Sequence, residues 1–268
     1  MSRLADTFAA LRREGRPGLV TYTTAGDPDL PRSAEILEAL ARAGADVLEV
    51  GVPFSDPLAD GPVIQRATER ALAAGGSLRA SLDLIASVRA RVSTPIVVFS
   101  YANPIVRMGL DAFADRAAAV GVDGVLALDL PIEEADEFRN ALSRVGVDTI
   151  FLLSPTTTEA RIRKAAELGR GFLYGISRLG VTGARATVAT GAEAMVQRIR
   201  AVTDLPLALG FGISRPEHVA EVGAYADGAV VGSALVALIA ESSGSPELIA
   251  RVEDYVRSLR AACVVAKA

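Results

Sequence analysis

The sequence holds one cysteine, one histidine and no tryptophan in 268 residues. Cys263 alone cannot close an intrachain disulfide, and His218 alone leaves neither a zinc cluster nor a Ser-His-Asp triad. No run of basic residues is present to track a phosphate backbone, and 28 Lys+Arg against 32 Asp+Glu leave a formal net charge of −4, so nucleic acid is not an expected partner. Long apolar runs are missing too. The opening MSRLADTFAALRREG is interrupted at Arg3 and Asp6, unlike the apolar region of a secretory signal. Uncharged stretches are short: Gly228 to Ala240, which contains Gly and Ser, has 13 residues, below the roughly 20 that cross a bilayer. A cytoplasmic protein with no membrane partner is the expectation.

Apolar residues themselves are plentiful. Half the chain is hydrophobic and 22% is charged, a balance that excludes a disordered polymer and allows a large core. The length suits a single α/β barrel of about 250 residues, and no Pro/Ser linker divides it, so one domain over 1–268 is expected.

Short β-branched runs alternate with segments whose apolar residues recur every three or four positions, the pattern of repeated βα units. Strands are expected at Leu19–Thr23, Val47–Val50, Ile96–Ser100, Gly124–Leu128, Thr149–Leu153, Phe172–Tyr174, Leu207–Leu209 and Ala229–Val231. Helices are expected at Ser33–Ala43, Val63–Ala73, Leu110–Val120, Glu133–Val145 and Glu159–Leu168, with Gly44, Gly121, Gly146 and Gly169 where helices should stop. The phrases AGAD, VGVD and VGVD before the second, fourth and fifth strands suggest a left-handed glycine followed by a polar entry into a buried strand. Nearly continuous apolar strands need cover on both faces, so the fold class is α/β, a parallel (β/α)8 TIM barrel, with a doubly wound open sheet as the structural alternative. Extra helices are expected at Ser2–Arg13, Leu78–Arg91 and Pro246–Ala262, the first covering the barrel's bottom.

Catalytic groups of such a barrel sit at the C-terminal ends of its strands. In the second strand Val47 and Glu49 share a face opposite Leu48 and Val50. If Leu48 and Val50 pack on the helices, Glu49 points into the mouth, where desolvation would raise its pKa and suit it to donate and accept a proton. A structural glutamate paired with an arginine is the competing reading. In the following GVPFSDPLADGP, Pro53, Pro57 and Pro62 restrict the backbone that carries Asp56 and Asp60. Asp60 reads as a second carboxylate at the mouth, or as a turn former or helix N-cap. Across the barrel, Gly210-Phe211-Gly212 and Gly232-Ser233 before the apolar helix Ala234–Ala240 offer bare N–H groups, as does Gly183. This is the arrangement of a barrel phosphate site, although glycines also serve tight turns. The stretch Ser177 to Glu193, long and Gly-rich, reads as a mobile lid.

Glu49-Val50-Gly51-Val52-Pro53-Phe54-Ser55-Asp56-Pro57-Leu58-Ala59-Asp60-Gly61-Pro62 resembles the corresponding segment of tryptophan synthase α chains. Gly26-Asp27-Pro28, Tyr101-Ala102-Asn103-Pro104, Asp129-Leu130-Pro131, Gly180-Val181-Thr182-Gly183 and Gly210-Phe211-Gly212-Ile213 extend the resemblance over essentially the whole chain. It implies retro-aldol cleavage of indole-3-glycerol phosphate to indole and glyceraldehyde 3-phosphate, without cofactor or metal. By the same resemblance Glu49 is the proton shuttle and Asp60 the acceptor for indole N–H. Tyr22, Ile64, Phe99, Tyr101, Asp129, Tyr174, Thr182 and Phe211 would line the indole and glycerol region, with core packing a competing role for Tyr22, Ile64, Phe99 and Phe211. Gly183, Gly212, Gly232 and Ser233 would hold phosphate. A pyridoxal-phosphate β chain is the implied partner in an α2β2 assembly, met through Pro53, Asp56, Asn103 and Pro104. Tyr225 departs from the family, whose members tend to have glycine there, and the lid diverges beyond Arg178, Thr182 and Gly183. A stand-alone lyase or a non-catalytic partner of a β chain are the alternatives. His218 is expected in the first turn of a helix and Cys263 near a frayed terminus, neither with a role.

Overall fold

The structure, a computed structural model, describes residues 2–176, 191–210 and 212–263. Among the described residues nine strands form one sheet: β1 (Gly18–Thr24), β2 (Val47–Gly51), β3 (Ile96–Ser100), β4 (Gly124–Ala127), β5 (Asp148–Thr149), β6 (Leu152–Leu153), β7 (Leu173–Ile176), β8 (Leu207–Gly210) and β9 (Gly228–Val231). Every pairing is parallel, in the order β5-β4-β3-β2-β1-β9-β8-β7-β6. The two ends of that order belong to one segment. Ile150 N–H donates to Val125 O on β4 at 2.9 Å, and Tyr174 N–H on β7 donates to Phe151 O at 3.0 Å. The expected fifth strand therefore closes the barrel, its first half laddered to one neighbour and its second half to the other. Stagger between strands in a closed barrel accounts for the split.

The helices, in chain order, are α1 (Arg3–Glu14), α2 (Leu30–Arg42), α3 (Pro62–Ala73), α4 (Leu78–Arg89), α5 (Ala102–Met108) and α6 (Leu110–Ala119). They continue with α7 (Asp136–Arg144), α8 (Glu159–Leu168), α9 (Ala192–Arg200), α10 (Pro216–Gly223), α11 (Ser233–Ser242) and α12 (Leu248–Ala261). Side-chain caps start several of them: Ser2, Asp29, Ser77 and Thr158 each accept from the N–H three residues on. Capped by Asp29, α2 begins at Leu30, three residues before the expected Ser33. The expected Glu133–Val145 helix is broken at Ala135 into a 3-10 turn, Ile132–Glu134, and α7. The short α5 lies between the third strand and its expected helix. The proposed lid ends sooner than Glu193, because Ala192 already opens α9; its residues 177–190 lie outside those described. Gly44, Gly121 and Gly146 are left-handed as the repeated phrases suggest, whereas Gly169 is extended and Gly171 takes the positive φ instead. Cys263, expected near a frayed end, is fully buried in the outer core, which pushes its thiol up to about 11.

Alternation divides each strand between two cores. Leu19, Leu48, Val50, Ile96, Val98, Leu207 and Val231 join the helices outside, while Val20, Val47, Val97, Leu126, Ile150, Phe172 and Val230 fill the barrel. Leu4, Phe8 and Leu11 of α1 belong to the inner set. This helix plugs the N-terminal end, as expected of the Ser2–Arg13 segment. Room is made by strand glycines: a Cβ at Gly18 or Gly124 would lie 2.8 Å from Leu11 or Leu4 respectively. Around the plug, Asp46, Asp123 and Asp227 accept the N–H of Leu19, Ile96 and Leu207 at 2.8, 2.8 and 2.7 Å. Each aspartate that ends a link thus caps the preceding or neighbouring strand. Arginines close the ring of charge, with Arg16 bidentate to Asp46 and both Arg3 and Arg89 on Asp123.

Because Phe8 fills the barrel and stacks at 5.3 Å on Phe172, Phe8→Ala should cost about 3–5 kcal/mol in urea unfolding. A loss below about 1 kcal/mol, the size of an ordinary surface change, would show that α1 is not part of the inner core.

Candidate active site

Glu49 stands at the middle of β2, level with Tyr22 on β1 and Val97 on β3. It is fully buried, and neither carboxylate oxygen has a hydrogen-bond partner among the described residues. The competing reading, a glutamate neutralised by arginine, is not what this geometry contains. Burial alone pushes its pKa from 4.5 up to about 8. Near neutrality the group is therefore mainly protonated, a carboxylic acid within the barrel.

Three rings surround it. Tyr22 meets Phe99 edge-on at 5.5 Å, and Phe99 lies 6.3 Å from Tyr174. Glycines leave the tyrosines their space: a Cβ at Gly51 would lie 2.2 Å from the Tyr22 hydroxyl, and one at Gly210 would lie 2.4 Å from that of Tyr174. Neither glycine was singled out from the sequence for this purpose, since its signal is an absent side chain opposite a residue distant in the chain. Burial, followed by Asp60, pushes the Tyr22 hydroxyl well above its ordinary range. Burial and then Glu49 do the same to Tyr174. Ile64 of α3 packs with Tyr22 and with Val236 of α11, closing one wall.

Asp60 comes from the proline-ruled loop between β2 and α3. The loop is folded by turns from Leu58 N–H to Asp56 O at 2.9 Å and from Asp60 N–H to Pro57 O at 3.1 Å. Gly61, not Asp60, occupies the N-cap of α3, with Pro62 in its first turn. The Asp60 carboxylate is thus released from capping. Its Oδ2 accepts from the Tyr101 hydroxyl at 3.1 Å, and that hydroxyl accepts from Ala59 N–H at 3.0 Å. Burial pushes Asp60 up to about 6, opposed by the Tyr101 hydrogen bond. Glu49 has no such donor, which leaves the two acids on opposite sides of neutrality. A buried aspartate of the Gly26-Asp27-Pro28 motif, given no role by the sequence, steadies this wall: Asp27, after β1, holds Arg70 of α3 bidentately at 2.8 and 2.9 Å.

The other expected residues divide. Asp129 is exposed at the rim and accepts the Ala102 N–H at 2.6 Å; it lines a cavity of about 290 Å³ with Leu128, Leu152 and Ser154. Gly212 has φ +79°, and Gly232 precedes α11, whose first N–H groups receive no side-chain cap. Ser233 is the first residue of that helix. A Cβ at Gly232 would lie 3.5 Å from Cβ of Tyr22, so the bare amides neighbour the aromatic cage. Arg178, Thr182, Gly183 and Phe211 lie outside the described residues. Of the surface set, Asp56 and Asn103 are exposed and Pro104 is half-buried, but Pro53 is buried. Its Cγ would lie 2.9 Å from a Cβ at Gly76, so its ring packs inward. Leu58 and Val106, both unforeseen, are instead 87% and 63% exposed.

A parallel barrel carrying two unequal buried acids at its mouth, beside uncapped amides at a helix N-terminus, defines an acid–base enzyme of the α/β-barrel class. Residues 8–264 match the family model described as tryptophan synthase alpha chain. A tryptophan synthase alpha chain from Geobacter sulfurreducens is 52% identical over 98% of this chain and 99% of its own, and one from Geotalea uraniireducens is 51% identical over 97% of both. Among solved structures, tryptophan synthase of Mycobacterium tuberculosis superposes with a TM-score of 0.91 at 38% identity, covering 98% of each chain. The alpha subunit from Legionella pneumophila gives 0.90 at 36%, also covering 98% of each. The chain belongs to the tryptophan synthase alpha chain family.

Desolvation of Glu49 carries a stability signature. A folded pKa of about 8 against an ordinary 4.5 means that the fold binds the proton more tightly than the unfolded chain. Stability is therefore full below about pH 4.5 and falls as pH rises through 8. Glu49→Gln does not titrate, so its melting temperature should exceed that of the parent most at pH 9 and least at pH 5. An equal difference at both pH values would mean that Glu49 is not held protonated by burial.

Proposed function

We propose that Glu49 and Asp60 divide the chemistry of the family reaction, retro-aldol cleavage of indole-3-glycerol phosphate. Protonated Glu49 delivers its proton to indole C3, which places positive charge on the indole nitrogen. The Asp60 carboxylate accepts the N–H and stabilises that charge as it develops. Glu49, now a carboxylate, removes the proton of the glycerol hydroxyl on the carbon attached to C3. The C–C bond breaks, its electron pair restores the indole ring, and the deprotonated oxygen becomes the aldehyde of glyceraldehyde 3-phosphate. One proton is given and one regained, so the enzyme ends as it began. The observation that carries this reading is the buried, unpartnered Glu49 carboxyl, a proton donor at neutral pH.

Tyr22, Ile64, Phe99, Tyr101 and Tyr174 form the aromatic and apolar wall for the ring, with Asp129 at the rim and Thr182 and Phe211 assigned by family resemblance. Gly212, Gly232 and Ser233, with Gly183, bind the phosphate through amides at and near the start of α11. The residues of the chain, 1–268, serve this one barrel domain. Among the described residues no single helix is long and apolar enough to cross a membrane, and a cytoplasmic location belongs to the same reading. The partner is a pyridoxal-phosphate β chain in an α2β2 assembly. Leu58 and Val106, beside Asp56 and Asn103 on the loop after β2 and on α5, supply the exposed apolar side chains that such an interface buries.

The free enzyme should show a bell-shaped kcat/KM, rising as Asp60 ionises near pH 6 and falling as Glu49 loses its proton near pH 8. Glu49→Gln should lower kcat by about 10²–10⁴-fold and Asp60→Asn by about 10²–10³-fold, both with native circular dichroism. Near-parental rates in either variant would remove that residue from the mechanism. Indole release measured with and without a β chain tests the partner. Activation that Leu58→Asp weakens supports the interface, and equal rates with and without the β chain point to the stand-alone lyase.

A further inference from the structure

The turn that follows β8 is held from outside the barrel. Gly212 is left-handed at φ +79°, Ile213 is 3% exposed in the outer core, and Ser214 is gripped on both of its peptide planes. Its N–H donates to His218 Nδ1 at 3.3 Å, and its carbonyl accepts from the Tyr255 hydroxyl at 2.9 Å. His218 is 3% exposed in the first turn of α10, and Tyr255 comes from α12. Arg215 Nη2 lies 3.2 Å from His218 Nε2. A neutral imidazole accepts through one nitrogen only. The Ser214 backbone N–H can only donate, so the accepting nitrogen is the one that faces it. Burial pushes the Tyr255 hydroxyl up to about 12, which keeps it a donor throughout the working range.

The same helix reaches the second half of the anion cradle. Arg251 of α12 donates to Ser242 Oγ at 2.6 Å, at the end of α11, and α12 packs along both α10 and α11. A glycine turn left to itself samples several conformations, and an anion site built of peptide N–H groups works only while those groups converge. We propose that α12 and α10 form a brace that presets the phosphate cradle, with Tyr255 and His218 as positioning residues for the substrate's phosphate. The proposal rests on the reading of Gly212 and Gly232 as phosphate-binding positions. Neither side chain is assigned to touch the substrate. Their effect is to remove the ordering cost that the ligand would otherwise meet on binding.

The test is steady-state cleavage of indole-3-glycerol phosphate by the full chain, together with competition by glyceraldehyde 3-phosphate and, separately, by indole. Tyr255→Phe removes one hydroxyl and keeps the ring's packing, and His218→Asn keeps an acceptor close to the position of Nδ1. Tyr255→Phe and His218→Ala should each raise KM and weaken glyceraldehyde 3-phosphate by about five-fold, the equivalent of one net hydrogen bond. kcat and the affinity for indole should stay at parental values, and His218→Asn should recover most of the loss. An unchanged KM in both variants, a fall in kcat at constant KM, or an Asn variant as weak as the Ala variant would each overturn the brace. Gly232→Val serves as the control for the underlying reading. If it weakens glyceraldehyde 3-phosphate while the brace variants do not, only the brace fails; if it leaves that affinity intact, the phosphate cradle itself is misplaced and the brace falls with it.

Discussion

One carboxyl group removed from water organises the mouth of this barrel. Glu49 has no donor and no cation within reach among the described residues, so its proton is the cheapest way to remove its charge. Whatever keeps water away from it keeps it protonated. Tyr22, Phe99 and Tyr174 do so, and those rings fit because Gly51 and Gly210 have no side chains to meet them. A change at either glycine would act on the acid through the tyrosine it displaces. Asp60 is set differently by a single hydroxyl. Tyr101 donates to it, favours the ionised form and leaves it at about 6 while Glu49 stays at about 8. Two carboxylates on neighbouring elements thereby take opposite protonation states at neutral pH, with no cation paired to either among the described residues.

The opposite end of the barrel is built for the reverse purpose. There the aspartates are satisfied: buried Asp123 and half-buried Asp46 and Asp227 accept strand N–H groups and meet arginines. Leu4, Phe8 and Leu11 fill the bore that the rings and Glu49 leave open at the top. A parallel barrel gathers all strand starts at one rim and all strand ends at the other, so the polar satisfaction that supports stability and the polar deprivation that supports catalysis are separated by the length of a strand. This separation lets the mouth hold an unfavourably buried acid within a fold anchored elsewhere.

The barrel was legible in the sequence because its signals are local. Left-handed Gly44, Gly121 and Gly146 mark strand entries, and the alternation in Val47–Val50 turns Glu49 inward. Gly169 misleads because its helix stops in an extended conformation and the turn's positive φ falls on Gly171, a difference of backbone angle that residue type does not encode. The fifth strand reads as one run since apolar content records burial, whereas pairing depends on which neighbour overlaps each half. In the site, the sequence places Asp60 in a rigid loop but leaves capping open; Pro62 and the Gly61 cap decide it. The family resemblance places Pro53 among partner contacts, but the sequence does not show that it packs over Gly76, a contact between residues 23 positions apart. Leu58 escaped notice because a single leucine among prolines and aspartates has no periodicity to betray its exposure.

Strand order then relates the two ends of the site. In the sequence β9-β1-β2, Tyr22 on β1 stands between Glu49 on β2 and Gly232 at the end of β9. Adjacent strands are about 4.8 Å apart, so two spacings set the acid and the bare amides on the order of 10 Å from each other along the rim. On the proposed reading, a substrate held by its phosphate at Gly232 would extend across the face of Tyr22 before its reacting carbon met Glu49. The first strand pairs with the second and with the last, so this spacing follows from strand pairing and not from any side chain. Side chains decide only how steady its far end is, and at the Gly212 turn the steadying contacts come from α10 and α12, outside the barrel altogether.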